Sequence, residues 1–153
     1  MYKKILVAYN GTPESRLALD ECIRLAPGAD AEIHLVAVVT PPPYLLVGEY
    51  AAAAVLSVEE GLAAERQKME QDLATGHALL ASAGLHVIDH LEVGEPVDIL
   101  EEISNRLGME LVIVGHSRHK PFALRWWRGS VDAVLVGKVR CSVLVAADPL
   151  RAA

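Results

Sequence analysis

The chain has 153 residues, of which 52% are hydrophobic and 22% are charged, and its formal net charge is -6. This length and composition predict a single globular domain over residues 1–153 and exclude an intrinsically disordered chain. The negative charge argues against general binding to nucleic acid, which requires a basic surface.

Five short apolar segments alternate along the chain with segments of helical periodicity, which is the pattern of consecutive βαβ units. The predicted strands are residues 4–9, 32–39, 86–93, 111–115 and 142–146. Three of them are nearly continuous runs of Val, Ile and Leu, as in parallel strands covered by helices on both faces. The third strand alternates polar and apolar residues, which predicts an edge strand with one wetter face. Right-handed crossovers then give an α/β fold, with an open, mostly parallel five-stranded sheet and helices on both faces.

Four helices are predicted between these strands. The first begins at Thr12 or Ser15, the third covers residues 96–107 and ends at Gly108, and the fourth begins near residue 130. The second is predicted from residue 57 to about residue 83, because Ser57 and Glu60 have the spacing of a capping box. A glycine at position 84 suits the end of that helix.

Residues 40–56 are predicted to form an irregular connection that contains three consecutive prolines. A connection of this length is typical of a lid or a partner surface, and a tolerated insertion is the alternative.

The segment after the fourth strand is unusual for an acidic protein. Residues 116–128 contain four Lys or Arg residues and two His residues but no acidic residue, and they lead to Gly129 and Ser130. In open α/β sheets, ligands bind outside the carboxyl ends of the strands where the strand order reverses. A helix N-terminus beside a cationic loop there predicts an anion site. A loop that merely exposes its arginines to solvent is the alternative.

The sequence shows no catalytic machinery. Ser117 lies between His116 and His119, but no neighbouring carboxylate is placed to orient either imidazole, so we predict a binding protein rather than an enzyme. No set of residues has the spacing of a metal site, and we expect the other histidines to be packed or solvated in ordinary ways. These are His34, His77, His86 and His90.

The two cysteines, Cys22 and Cys141, do not form a redox or metal motif. No apolar run has the length of a membrane span, and the N-terminal run is too short for a signal peptide. These features predict a cytoplasmic protein with reduced thiols.

Four segments, taken in order, resemble the universal stress protein family over essentially the whole chain. They are ILVAYNGTPES at residues 5–15, VGEP at 93–96, LVIVGH at 111–116 and CSVLV at 141–145. The resemblance implies the strand order 3-2-1-4-5, with the layering of adenine nucleotide alpha-hydrolase-like folds, and a stress-response or regulatory role. It also implies a homodimer formed by antiparallel pairing of the final strands, from Ser142 to Ala146. The final strand is short, apolar and at an edge of the predicted sheet, where pairing with a second copy is favoured.

In the nucleotide-binding branch of this family, the pattern G-x2-G-x9-G-[S/T] holds the phosphates, and an Asp that ends the first strand contacts the sugar. Gly115 and the pair Gly129-Ser130 match the ends of that pattern. Arg118 stands at the second glycine, the following interval is one residue longer, and Asn10 replaces the Asp. The resemblance implies an adenine nucleotide such as AMP or ATP, with two groups of contacting residues. The adenosine side would be lined by Ala8, Asn10 and Val38, and the phosphates by Gly115, His116, Arg118, Gly129, Ser130 and Val131.

Three functions stay open on the sequence alone. The first is a stress protein that responds to an adenine nucleotide. The second is a stress protein without a nucleotide, which acts as a dimeric interaction module, because Arg118 departs from the phosphate pattern. The third is a weak nucleotide phosphohydrolase.

Overall fold

The computed structural model describes residues 1–25, 27–41, 52–116 and 131–148. The described strands form one sheet and are β1 (Lys4–Ala8), β2 (Glu32–Val39), β3 (His86–Val93), β4 (Leu111–His116) and β5 (Ser142–Ala147). The helices in these residues are α1 (Pro13–Arg24), α2 (Ala52–Ser82), α3 (Pro96–Leu107) and α4 (Val131–Lys138). The predicted alternation of strands and helices is therefore confirmed, and each strand end falls within one residue of its predicted position.

The strand order is β3-β2-β1-β4-β5, and every neighbouring pair is parallel. The predicted order is confirmed, and β3 is an edge strand as expected. Side chains of successive strand residues point to opposite faces of the sheet. One face, which includes Ile5, Val7 and Leu35, is covered by α1 and α2. The other face, which includes Leu6 and Val36, is covered by α3 and α4.

Local signals set the ends of three helices. Thr12 is the N-cap of α1, and its Oγ1 accepts a hydrogen bond from the Ser15 amide at 3.3 Å. Gly108 ends α3 in the left-handed conformation, with φ of 65°. Gly84 follows α2 with φ of 84°, as predicted. Side chains with a Cβ are disfavoured in this conformation, so glycine is the favoured residue at both positions.

The predicted start of the second helix is wrong. Helix α2 begins at Ala52, so Ser57 and Glu60 lie inside it and not at its N-terminus. Alanine has the highest helix propensity of all residues, and the run from Ala52 to Ala54 extends the helix toward the N-terminus. The last part of the predicted 40–56 connection is therefore helical, and residues 42–51 of that connection lie outside the described residues.

Candidate functional site at the carboxyl ends of β1 and β4

The order of the strands reverses between β1 and β4. The chain moves from β1 outward through β2 to β3, and α3 then carries it back across the sheet to β4. The crevice outside the carboxyl ends of β1 and β4 is the place where open α/β sheets bind ligands. Helix α1 leaves the sheet beside this crevice, and α4 begins at Val131.

A hydrogen-bonded turn connects β1 to α1. Asn10 Oδ1 accepts hydrogen bonds from the Thr12 amide at 3.2 Å and from Thr12 Oγ1 at 2.6 Å. The Asn10 amide donates to Ser15 Oγ at 3.3 Å, and Ser15 Oγ donates to the Thr12 carbonyl at 2.9 Å. Both Asn10 and Ser15 are buried. The turn is therefore held in one conformation by side chains of its own sequence.

Asn10 stands where nucleotide-binding members of the family resembled have an Asp. Its carbonyl oxygen accepts both hydrogen bonds from Thr12. Both Thr12 groups donate, so the side-chain atom of Asn10 that faces them is the oxygen and not the nitrogen. An aspartate here could bind Thr12 with one oxygen and accept from a sugar hydroxyl with the other. The change from Asp to Asn therefore replaces one acceptor by an amide donor and keeps the acceptor that Thr12 uses.

Helix α2 lies against the turn between β1 and α1, where its Asp72 is beside Gly11. A Cβ added to Gly11 would lie 2.6 Å from Cγ of Asp72, and Gly11 has φ of 83°. Lys68 donates a hydrogen bond to Asp72 Oδ2 at 2.9 Å. Burial and the charge of Asp72 raise the pKa of Tyr9, the residue that leads into the turn. The carboxylate that lies beside Gly11 is therefore already paired with a lysine.

Gly115 near the end of β4 is in contact with the first turn of α1. A Cβ at this position would lie 1.8 Å from the carbonyl oxygen of Glu14 and 3.0 Å from the Cα of Ser15. The sequence pattern assigns Gly115 to phosphate binding. The structure gives the glycine a packing reason as well, because only a residue without a side chain allows α1 to approach β4 this closely.

The other predicted site residues are placed as follows. Ala8 and Val38 are buried on the sheet face that α3 and α4 cover, with exposed fractions of 0% and 1%. His116 is the last residue of β4 and is half-buried, and Val131 is the first residue of α4. Arg118, Gly129 and Ser130, together with the rest of the cationic segment, lie outside the described residues.

Sequence reasoning missed two contacts of the histidines. His34 and His90 are hydrogen-bonded to each other, and His77 Nδ1 lies 2.8 Å from Asp89 Oδ1. Each pair joins elements that are separate in the sequence, so the local pattern contains no signal for it. Within the described ranges, no three His, Cys, Asp or Glu residues are grouped to hold a metal ion.

The similarities of the chain to known proteins agree with this geometry. A model of the universal stress protein family matches residues 1–147. This chain belongs to the universal stress protein family. The family that the sequence motifs indicated is thereby confirmed.

Relatives of this universal stress protein cover nearly its whole length. A curated universal stress protein of Staphylococcus haemolyticus is 27% identical over 147 residues, which are 94% of this chain and 84% of the relative. The solved structure of UspA from Lactobacillus plantarum has a TM-score of 0.73 at 17% identity and covers 95% of this chain and 97% of its own. At this identity the likeness shows the fold.

Some of the similar structures contain a nucleotide. A universal stress protein family member from Arabidopsis thaliana was solved with AMP bound, with a TM-score of 0.65, 16% identity and coverage of 96% of this chain and 92% of that one. Other universal stress proteins with similar folds were solved in complex with cAMP and, from Archaeoglobus fulgidus, with dAMP.

Proposed function

We propose that this universal stress protein is a dimeric regulatory protein, formed by one domain over residues 1–153, that binds an adenine nucleotide such as AMP or ATP between the ends of β1 and β4. The observation that carries the proposal is the buried, hydrogen-bonded turn at Asn10, which follows β1 where the strand order reverses. The AMP, cAMP and dAMP bound to proteins of the same fold support this choice of ligand.

The nucleotide contacts that we propose are those implied by the sequence motifs of the universal stress protein family. Ala8, Asn10 and Val38 line the adenosine side. Gly115, His116 and Val131 approach the phosphates together with three residues outside the described part, namely Arg118, Gly129 and Ser130. A guanidinium at position 118 binds phosphate through paired N–H groups, whereas the family's glycine acts through its backbone. The proposed function is binding and not catalysis, and no metal is required.

A second candidate is a dimeric interaction module without a nucleotide. Two observations favour it: Ala8 and Val38 are almost completely covered, and Arg118 departs from the phosphate pattern. Equilibrium dialysis with labelled ATP, AMP and cAMP separates the two candidates. Saturable binding supports the nucleotide proposal, and its absence at millimolar ligand rejects that proposal in favour of the second candidate.

A substitution at Asn10 tests where the nucleotide binds. We expect Asn10→Asp to bind AMP about 5-fold more tightly, because a charged acceptor makes a stronger hydrogen bond to a sugar hydroxyl than an amide does. The measurement is isothermal titration calorimetry on both proteins. Asn105→Asp is the matched control, because it makes the same charge change on the exposed surface of α3. Equal shifts in both variants, or no shift in Asn10→Asp, would contradict the placement of the sugar at Asn10.

The proposed homodimer pairs β5 of one copy with β5 of the other in antiparallel orientation. Among the described strands, only β4 pairs with β5, and the apolar side chains of Val134 and Val136 on α4 and Val145 on β5 are exposed. An unpaired edge with apolar neighbours favours association with a second copy. Sedimentation at micromolar concentration is expected to give the mass of a dimer, and a monomer mass would overturn this part of the proposal.

We also propose a cytoplasmic location. Both Cys22 and Cys141 are free thiols, which is usual in a reducing compartment. Burial raises the pKa of Cys22 to about 12, so its thiol stays protonated and unreactive. Among the described helices, none has the length and apolar character needed to cross a membrane.

A further inference from the structure

Two histidines from neighbouring strands form a direct hydrogen bond at the β3 edge of the sheet. His34 Nδ1 on β2 lies 2.9 Å from His90 Nε2 on β3, and the two rings are inclined by only 19°. His34 is 6% exposed, while His90 is half-buried. The two side chains therefore connect β2 and β3 in addition to the backbone ladder.

This bond depends on the protonation state of the two rings. A bond between two imidazole nitrogens needs one N–H donor and one lone pair. His34 Nε2 lies 3.4 Å from Glu32 Oε2, which favours a proton on that nitrogen and leaves Nδ1 as the acceptor for His90. The bond exists when both rings are neutral and survives the addition of one proton. A second proton removes the last lone pair and places two positive charges side by side.

The charged groups around the pair lie on its own strands, β2 and β3, and on two further elements, β1 and α3. Glu32 of β2 lies beside His34 and is opposite Lys4 of β1 in the sheet register, and Asp89 and Glu92 of β3 act on His90. From α3, Arg106 acts on His90, and its own Nε donates to Glu102 at 2.6 Å. Burial and then the charge of His34 lower the pKa of His90, and these effects exceed the opposing effects of Glu92 and Asp89.

The lowered pKa of His90 determines how the stability of the folded state changes with pH. A group whose pKa is lowered in the folded state binds fewer protons there than in the unfolded chain. Its contribution to stability is therefore complete above the ordinary histidine pKa of about 6.5 and is lost as the pH falls toward its lower folded-state pKa.

We propose that the His34–His90 pair is an acid-sensitive connection that releases edge strand β3 from β2 when both rings are protonated. Because the pair lies at the edge of the sheet, we expect protonation to separate β3 from β2 without opening the rest of the sheet. Among the described strands, only β2 pairs with β3, and the segment after β3 is bonded to β2 through the Gly94 amide and the Val39 carbonyl at 3.0 Å. Val39 follows Val38, so the release acts beside the proposed adenosine side of the crevice.

Amide hydrogen exchange measures the release directly. The Gly94 amide points to β2, so the amides of Ile88, His90 and Glu92 point there as well, because N–H groups alternate along a strand. We expect these three amides to lose protection between about pH 7.5 and about pH 5.5, after correction for the intrinsic exchange rate, while β1 amides keep theirs. Equal changes in β1 and β3, or none in β3, would overturn the proposal.

Substitution tests whether the pair is the cause. His90→Gln keeps an amide donor for His34 but does not titrate, so we expect a smaller loss of β3 protection on acidification than in the unsubstituted protein. His86→Gln is the matched control, because His86 lies on the same strand and is exposed, and it should leave the loss unchanged. The same loss in all three proteins would reject the role of the pair. If His90→Gln does not fold, titration of the histidine Cε1–H resonances of the unsubstituted protein decides, and a pKa of His90 at or above the ordinary value rejects the proposal.

Discussion

Gly115→Ala is expected to lower the free energy of unfolding by about 3 kcal/mol, the upper end of what overpacking costs. The added Cβ would lie 1.8 Å from the Glu14 carbonyl oxygen and 2.6 Å from its carbon. These are backbone atoms in the first turn of α1, and they cannot rotate away as the end of a side chain can. The Thr12 cap and the buried Ser15 hold that turn in place, so either α1 or β4 must move as a whole.

Urea unfolding of the protein without ligand measures this effect. Gly137→Ala is the control, because a Cβ at position 137 on the exposed side of α4 would meet no atom within 4 Å. That substitution is expected to raise stability by about 0.5 to 1 kcal/mol, because alanine loses less backbone freedom than glycine on folding. If Gly115→Ala unfolds at the same urea concentration as the unsubstituted protein, the contact between α1 and β4 is less close than described.

Val143→Pro is expected to weaken the proposed dimer by about 100-fold. The Ser142 amide donates to the Glu110 carbonyl at 3.3 Å, so it points toward β4. Because N–H groups alternate along a strand, the Val143 amide points to the free edge, where a second copy would pair. Proline removes this donor in both copies, and each lost hydrogen bond costs about 1 to 1.5 kcal/mol.

Analytical ultracentrifugation over a range of protein concentrations measures the dissociation constant of the dimer. Val93→Pro is the matched control: the neighbouring Gly94 amide points to β2, so the Val93 amide points to the free edge of β3, at the opposite side of the sheet. The control should leave the dimer unchanged. A dimer that survives Val143→Pro, or that is weakened equally by Val93→Pro, would show that the subunits do not pair through β5. If Val143→Pro fails to fold, Val145→Pro provides the same test, because it removes the next backbone N–H that points to the free edge of β5.

The local features of the fold were predictable because their causes are local. The runs of Val, Ile and Leu in β1, β2 and β4 require cover on both faces, and this requirement is present in the sequence of each strand. Gly84 and Gly108 end helices because of a backbone preference that belongs to glycine itself. The predicted helix start at Ser57 is wrong because the helix propensity of the preceding alanines outweighs the capping pattern.

The candidate site was only partly predictable. The motifs indicated that Asn10 and Gly115 belong to one crevice, because the carboxyl ends of parallel strands lie at one edge of a sheet. They did not indicate that Asn10 is committed to Thr12 through its carbonyl oxygen, or that Asp72 lies against Gly11. Those facts depend on how the turn closes and where α2 lies.

The amino-acid sequence by itself determined the elements, their order and the family, since periodicity, caps and motifs depend on residues that are close along the chain. Only the tertiary structure decided which distant groups meet: Gly115 with Glu14, and His34 with His90 across 56 positions. The reason is physical. A contact between strands is fixed by register and burial, and these are properties of the whole sheet and not of either segment.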